Sequence, residues 1–308
     1  MKNLTNAARF AWHQKMVTLS ILVLLTVAVS ALFVHIIAPF DPYFQNISLR
    51  NLPPFTPDPD SGGVHLLGTD PLGRDVLSRL MLGSQISMSV GIASVIVSGV
   101  FGTTVGILAG YFRGWFDDLT MRLVDLQMSV PSLLIALLVL YILGPSFLNI
   151  VLVLAVTRWM VYARVARGLT LSLRDELFVE AARSLGASNI RILARHLLPN
   201  ILAPVLVLAT LELAVMLLTE ASLSFLGLGI QPPESSWGLM LADGREYLTT
   251  APWLVTVPGL AILLTTLSVN IIATWFRART ATKVADRSVA EEKAPTAGST
   301  PVSGLVTA

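Results

Sequence analysis

The chain contains no cysteine. Disulfides, thiolate metal sites and cysteine nucleophiles are thereby excluded. Charge is scarce too: 13% of the residues are Asp, Glu, Lys or Arg, against about 25% in soluble domains. Lysine occurs at Lys2, Lys15, Lys283 and Lys293, and none of these follows a glycine-rich loop of the G-x-x-x-x-G-K-S/T kind that cradles phosphates. The chain cannot hydrolyse ATP by that route, and no cofactor is expected in it. His13, His35, His65 and His196 are scattered over different segments, so no convergent catalytic set and no metal site is expected. A net charge of +2 with a pI near 9.1 reflects basic residues clustered by topology and gives no nucleic-acid footprint.

What is present is apolar: 54% of residues are hydrophobic and the mean hydropathy is +0.72. The sequence predicts an all-α integral membrane protein with six transmembrane helices, each long enough to cross about 30 Å of hydrocarbon or nearly so. The spans fall at 16–38, 86–111, 126–143, 147–163, 201–226 and 251–276. The first follows a short basic N-terminus, 1–15, and is longer than the roughly 7–15-residue apolar core of a signal peptide, so an uncleaved anchor is expected. His35 near its outer end reads as an interfacial polar residue rather than a ligand. The loop 39–85 has a proline-rich centre that excludes regular helix or central strand. Within it Asp75 and Arg79, four apart, read as a helix-surface ion pair. In the second span Ser94, Ser98, Gly102, Gly106 and Gly110 place a small residue at every fourth position, which lets two helix backbones approach closely, either inside this bundle or against a partner. The tail 284–308 is polar, of low complexity and expected to be disordered.

Three charges fall inside spans. Arg158 either lines a passage or packs and snorkels; Glu212 and Glu220, eight apart and close to one helix face, either line a translocation pathway favouring cationic or zwitterionic cargo or fix packing by hydrogen bonds. Glu220 leans to packing.

The segment 164–200 is a polar, basic island between the fourth and fifth spans. Leu177, Phe178, Ala181, Ala182 and Leu185 share one helix face, while Glu176, Glu180 and Arg183 fall elsewhere. Asp175 is placed to cap this helix, Gly186 to end it in the left-handed conformation, and Ser188 to cap a second helix bearing Ile190, Leu193, Ala194 and Leu197. A helix pair this short is no domain, so its apolar face needs a partner.

The run Glu180-Ala181-Ala182, then Gly186, then Leu198-Pro199, resembles the EAA loop of ABC-transporter permeases, with His196 standing where an isoleucine is usual. Gly68-Thr69-Asp70, Gly73-Arg74-Asp75, Ser78-Arg79, the stretch from Glu220 to Gly229, and the PP, SSWG and MLADGRE of the loop 227–250 are similar to the dipeptide/oligopeptide/nickel importer subfamily, to the second permease of each such system. The likeness runs from about residue 68 to residue 270. It departs at the end of the sixth span, where Ala273-Thr274 and Arg277-Ala278-Arg279 replace the usual Gly-Asp and Asp-Pro. The resemblance implies the type I importer permease fold and a transport subunit that is not itself an enzyme. It implies as partners a homologous permease forming a heterodimer, two ATP-binding subunits that hold ATP and Mg, an extracytoplasmic substrate-binding protein, and membrane lipid. Glu180, Ala181, Ala182, Arg183, Gly186, Leu198 and Pro199 would carry the ATPase contact, supported by Arg191 and Arg195. The cargo implied is a dipeptide, a longer peptide, glutathione, a nickel chelate or an opine-like compound.

Of the 21 Lys and Arg residues, 16 fall on the side of the N-terminus, the EAA-like loop and the tail, so both termini and that loop are expected in the cytoplasm of a bacterial inner-membrane protein. Two other classes are weighed against this one. A gradient-driven carrier would use Glu212 and Glu220 but usually shows broken helices and an internal repeat. A membrane enzyme would need a convergent nucleophile, base or metal set.

Overall fold

Glycine or proline lies within a few residues of most helix ends. The computed structural model describes residues 2–59 and 62–292, with side chains over 15–59 and 62–278. Helix α1 (Lys2–Ile37) leads to an irregular segment with a two-stranded antiparallel ribbon, β1 (Thr56–Pro57) on β2 (Val64–His65). Next come α2 (Val76–Phe112), α3 (Gly114–Met128), α4 (Ser132–Leu143), α5 (Phe147–Leu173), α6 (Leu177–Ser184) and α7 (Asn189–Ile192). A π-helical turn, Leu193–Leu197, joins α7 to α8 (Leu198–Phe225); α9 (Trp237–Gly244) and α10 (Trp253–Glu292) complete the order.

Five helices are long and apolar enough to cross a membrane, and a sixth crossing exists if α3 and α4, bent by 87° at their junction, count as one. The bend corrects the third span expected at 126–143. Pro131 lacks an N–H and disfavours α geometry at Val130, so the helix breaks there. Helix α4 has 12 residues, about 18 Å at 1.5 Å per residue.

The second span starts ten residues earlier than the 86 expected, because Asp75 caps it: its carboxylate accepts the Ser78 amide at 2.8 Å. The fourth span does not end at 163 but continues to Leu173, which takes the first ten residues out of the loop expected at 164–200. The loop 227–250 contains α9, capped by Ser236 on the Leu239 amide at 3.2 Å. Of the tail expected to be disordered, 284–292 continues α10, and 293–308 lies outside the described residues.

The small-residue row of α2 packs on α5. A Cβ at Gly102 would stand 2.2 Å from the Trp159 carbonyl oxygen, and one at Gly106 would stand 2.3 Å from that of Ala163. Lipid supplies little drive for helices to associate, so this backbone approach, gaining dispersion contacts, is what fastens α2 to α5. Around it the buried apolar side chains fall into zones. Val90, Leu140, Leu154, Met216 and Leu223 fill the middle, and Val76, Trp237, Met240 and Leu254 the end bearing the ribbon. At the opposite end lie Ile107, Tyr111, Val179, Ile192, Leu197 and Ile201. Helix α1 is peripheral, with 17% of its apolar window buried against 50% for α5.

Candidate functional site

At the α2 C-terminal end of the bundle, α6 and α7 form a bent pair. Gly186, at φ +80°, turns the chain between them; a Cβ there would meet nothing within 4 Å, so the requirement is conformational, not steric. Ser188 starts α7 by accepting the Arg191 amide. Asp175 caps nothing: Glu176 holds the cap position without a side-chain bond, and Asp175 instead pairs with Arg113 and Arg174 at 2.8 and 3.1 Å. The hydrogen bond from Arg174, reinforced by Arg113, holds this carboxyl below the usual carboxylate range.

The pair has two apolar faces. Val179, Ile192 and Leu197 are buried against Ile107, Tyr111, Tyr162, Ala166 and Ile201, and Ala182 is buried as well. Leu177, Leu185 and Ile190 point outward and are 81%, 88% and 78% exposed. Glu180, Ala181, Arg183, Gly186, Leu198 and Pro199 are exposed as well, as are Arg191 and Arg195. Ala182, expected on the outward face with Ala181, faces inward. Val179 and Ala182, three apart, are the second stripe that would have revealed this, and an i, i+4 reading from Leu177 passes over it. His196, where the motif departs from its usual form, lies in the π-helical turn with its ring 6.5 Å from that of Phe178.

This segment is tied to the end of α2 by polar contacts that no sequence motif announces. Arg174 donates to the Tyr111 carbonyl at 2.6 Å and, at 3.4 Å, to that of Gly110. The Tyr111 hydroxyl donates to Asn189 Oδ1 at 2.8 Å. Asp117 on α3 receives two bonds from Arg167 of α5, one at 2.7 Å.

Within the bundle, Arg158 and Glu212 meet. The guanidinium donates through Nε and Nη2 to the two carboxylate oxygens, each at 2.7 Å, and Glu212 is 5% exposed. Glu220, eight residues on, is fully buried in a separate nest: Ser87 donates to it at 3.1 Å and Ser224 at 2.7 Å. The Ser87 oxygen also accepts the Trp237 amide, so this nest joins α2, α8 and α9.

At the ribbon end, Arg74 pairs with Asp70 at 2.7 Å and Arg79 approaches the same carboxylate at 3.5 Å. Arg79 was expected on a helix surface with Asp75. It is instead 2% exposed, while Asp75 pairs with His65 at 2.9 Å. Asp243 on α9 stands 3.9 Å from both guanidiniums; burial pushes its carboxyl up, and the two arginines counter this only in part. Beside them opens a cavity of about 700 Å³, bordered by Arg74, Gln231, Asp243, Arg245, Glu246 and Tyr247. Among the described residues no three His, Asp or Glu side chains gather as a metal site.

Residues 102–282 match the family described as binding-protein-dependent transport system inner membrane component. The chain is 39% identical over 242 residues to the dipeptide transport system permease protein DppC of Alkalihalophilus pseudofirmus, covering 79% of this chain and 80% of that one. It is 38% identical to the glutathione transport system permease protein GsiD of Pectobacterium atrosepticum, covering 87% of each. The di/tripeptide transport system permease protein DppC of Pseudomonas aeruginosa is 39% identical over 86% of this chain and 87% of its own. Among solved structures, a chain of the inward-facing MetNI methionine ABC transporter superposes with a TM-score of 0.51 at 21% identity, covering 65% of this chain and 95% of that one. That likeness concerns the fold.

Proposed function

This chain belongs to the binding-protein-dependent transport system inner membrane component family, and on that premise we propose how it works as a multi-pass ABC-importer permease subunit, not itself an enzyme. In this reading it pairs with a homologous second permease in the bacterial inner membrane. Two ATP-binding subunits, which hold ATP and Mg, dock on the outward face of α6 and α7. An extracytoplasmic binding protein delivers a small peptide or a peptide-like thiol such as glutathione to the ribbon end. Both termini and the α6–α7 segment lie in the cytoplasm, as the bias of positive charge supports.

The observation that carries the docking assignment is the outward apolar face of Leu177, Leu185 and Ile190, set on a segment whose opposite face is anchored in the bundle. Closure of the ATP-binding subunits would move this segment, and the bundle would pass between two arrangements whose balance ATP and the loaded binding protein shift. Glu180, Ala181, Arg183, Gly186, Leu198 and Pro199 form the exposed rim of the contact, and the buried Ala182 acts beneath it. The substrate roles of Arg158, Glu212 and Glu220 reduce, in this reading, to setting the shape of the pathway. Both carboxylate oxygens of Glu212 are engaged by Arg158, and this pairing supports a packing role over use by a gradient-driven carrier.

The test is purification of the tagged chain from native membranes with its partners, followed by uptake in proteoliposomes. The expected result is a second permease and two ATP-binding subunits per complex, with uptake that needs ATP. For Glu180→Lys we expect a chain that inserts normally but hydrolyses ATP without uptake. Failure of that variant to insert would remove Glu180 from the docking contact.

A further inference from the structure

The coupling segment has two routes into the bundle, and they differ in stiffness. The covalent route runs from α7 through the π-helical turn Leu193–Leu197 into α8, which carries Pro199 at its start and Pro204 in its first turns. A π-turn and an interior proline each remove regular hydrogen bonds and permit bending. The second route is non-covalent. Arg174, just before α6, takes up the carbonyls of Gly110 and Tyr111, which the end of α2 leaves unpaired. Asn189, just after the Gly186 bend, takes the Tyr111 hydroxyl, and the apolar underside formed by Val179 and Ile192 rests in the same cluster as Ile107 and Tyr111. The segment is therefore pinned to the last turn of α2 on both sides of α6.

Helix α2 continues unbroken for 37 residues, about 56 Å at 1.5 Å per residue. Its glycine row is seated against the α5 backbone, so the two helices move as one body. At the far end it holds α9: the Leu80 carbonyl accepts the Trp237 indole N–H at 3.0 Å, Ser87 accepts the Trp237 amide at 3.3 Å, and Arg79 faces Asp243. Helix α9 in turn borders the cavity beside Arg245 and Tyr247.

We propose that α2, fastened to the coupling segment through Tyr111–Asn189 and Arg174, is the rod that carries its displacement to α9 and the outer cavity, with α8 following. Tyr111, Asn189 and Arg174 are positioning residues in this account. The inference rests on the ATPase docking proposed above. Helix α2 would then be a packed element contacted at one end by the coupling segment and at the other by α9, so that both ends can bias it.

The experiment uses the complete complex in proteoliposomes with its binding protein, with dialanine and glutathione as the two probes. Tyr111→Phe removes one oxygen, Asn189→Leu removes the acceptor, and Asn189→Asp keeps an acceptor at the same place. We expect the ratio of solute taken up to ATP hydrolysed to fall about fivefold in the first two, the factor one hydrogen bond held in only one of two states supplies. Asn189→Asp restores it. A merely structural role would lower thermal stability in the first two and leave the ratio at the wild-type value, which would overturn the proposal. Should Asn189→Leu fail to insert, Tyr111→Phe alone decides. Absence of ATP-binding subunits from the wild-type complex is a separate outcome: it sinks the docking reading, and this inference with it.

Discussion

Arg158 and Glu212 remove each other's charge from the bundle through two parallel bonds, and each depends on the other for that. A buried pair of this kind adds little over an apolar pair of equal volume, but losing one partner leaves an uncompensated charge. Arg158→Met and Glu212→Leu should each destabilise the protein by about 3 kcal/mol, while the double variant recovers most of that loss. Thermal unfolding in detergent reads the cycle, and additive losses would show that the two residues act separately. Asp243 presents the opposite balance, with burial outweighing its arginines and raising its carboxyl. Its contribution to stability is fully present below the unfolded carboxylate pKa and is lost as pH rises through the raised folded value. Asp243→Asn should therefore stabilise the protein near pH 7 relative to pH 4, compared with the wild type, by melting curves at the two values. At this scale the sequence is silent on partners. Arg158 and Glu212 stand 54 positions apart, and Asp75 next to Arg79 gives no sign that His65 will take the aspartate.

The α2–α5 contact is where element packing decides stability. Gly106→Ala places a Cβ 2.3 Å from the Ala163 carbonyl oxygen, which no side-chain rotation relieves. The helices must part, at a cost of about 1–3 kcal/mol. Gly168 on α5 is the control: a Cβ there would meet nothing within 4 Å and its φ is not positive, so Gly168→Ala should gain up to about 1 kcal/mol from helix propensity. Melting temperatures in one detergent distinguish the two, and equal effects would mean that the glycine row does not set the approach. The small-residue row was legible because its four-residue period survives in any packing, but the sequence left its partner open between α5 and another subunit. The break at Pro131 was less legible, since the apolar run continues through it and only the missing N–H marks the bend.

For the whole molecule, hydropathy and the positive-charge bias are enough to outline a bundle of membrane helices, because the bilayer imposes one length and one polarity on every span. The positions where the outline failed are those where the chain leaves that regime. Helix α2 emerges past the apolar run to be capped by Asp75, α9 folds inside a stretch that reads as loop, and α3 lies across the line of α4. The α6–α7 segment was legible on its outward face, where Leu177 and Leu185 are exposed as their helical spacing predicts. Its inward face was not, because Val179 and Ala182 make a stripe of two residues, too short to read as a face, and the packing of Val179 is completed by the distant Ile107 and Tyr111.

The absence of cysteine makes the proposed docking of ATP-binding subunits on that outward face directly testable. Leu185→Cys introduces the chain's one thiol, at a side chain 88% exposed in the free subunit. Cross-linking from that thiol in native membranes with a short thiol-to-amine reagent should join the chain to an ATP-binding subunit at near-stoichiometric yield, and the yield should change when ATP is added. A thiol that stays freely reactive to a water-soluble maleimide in the intact complex, with no cross-link formed, would contradict it.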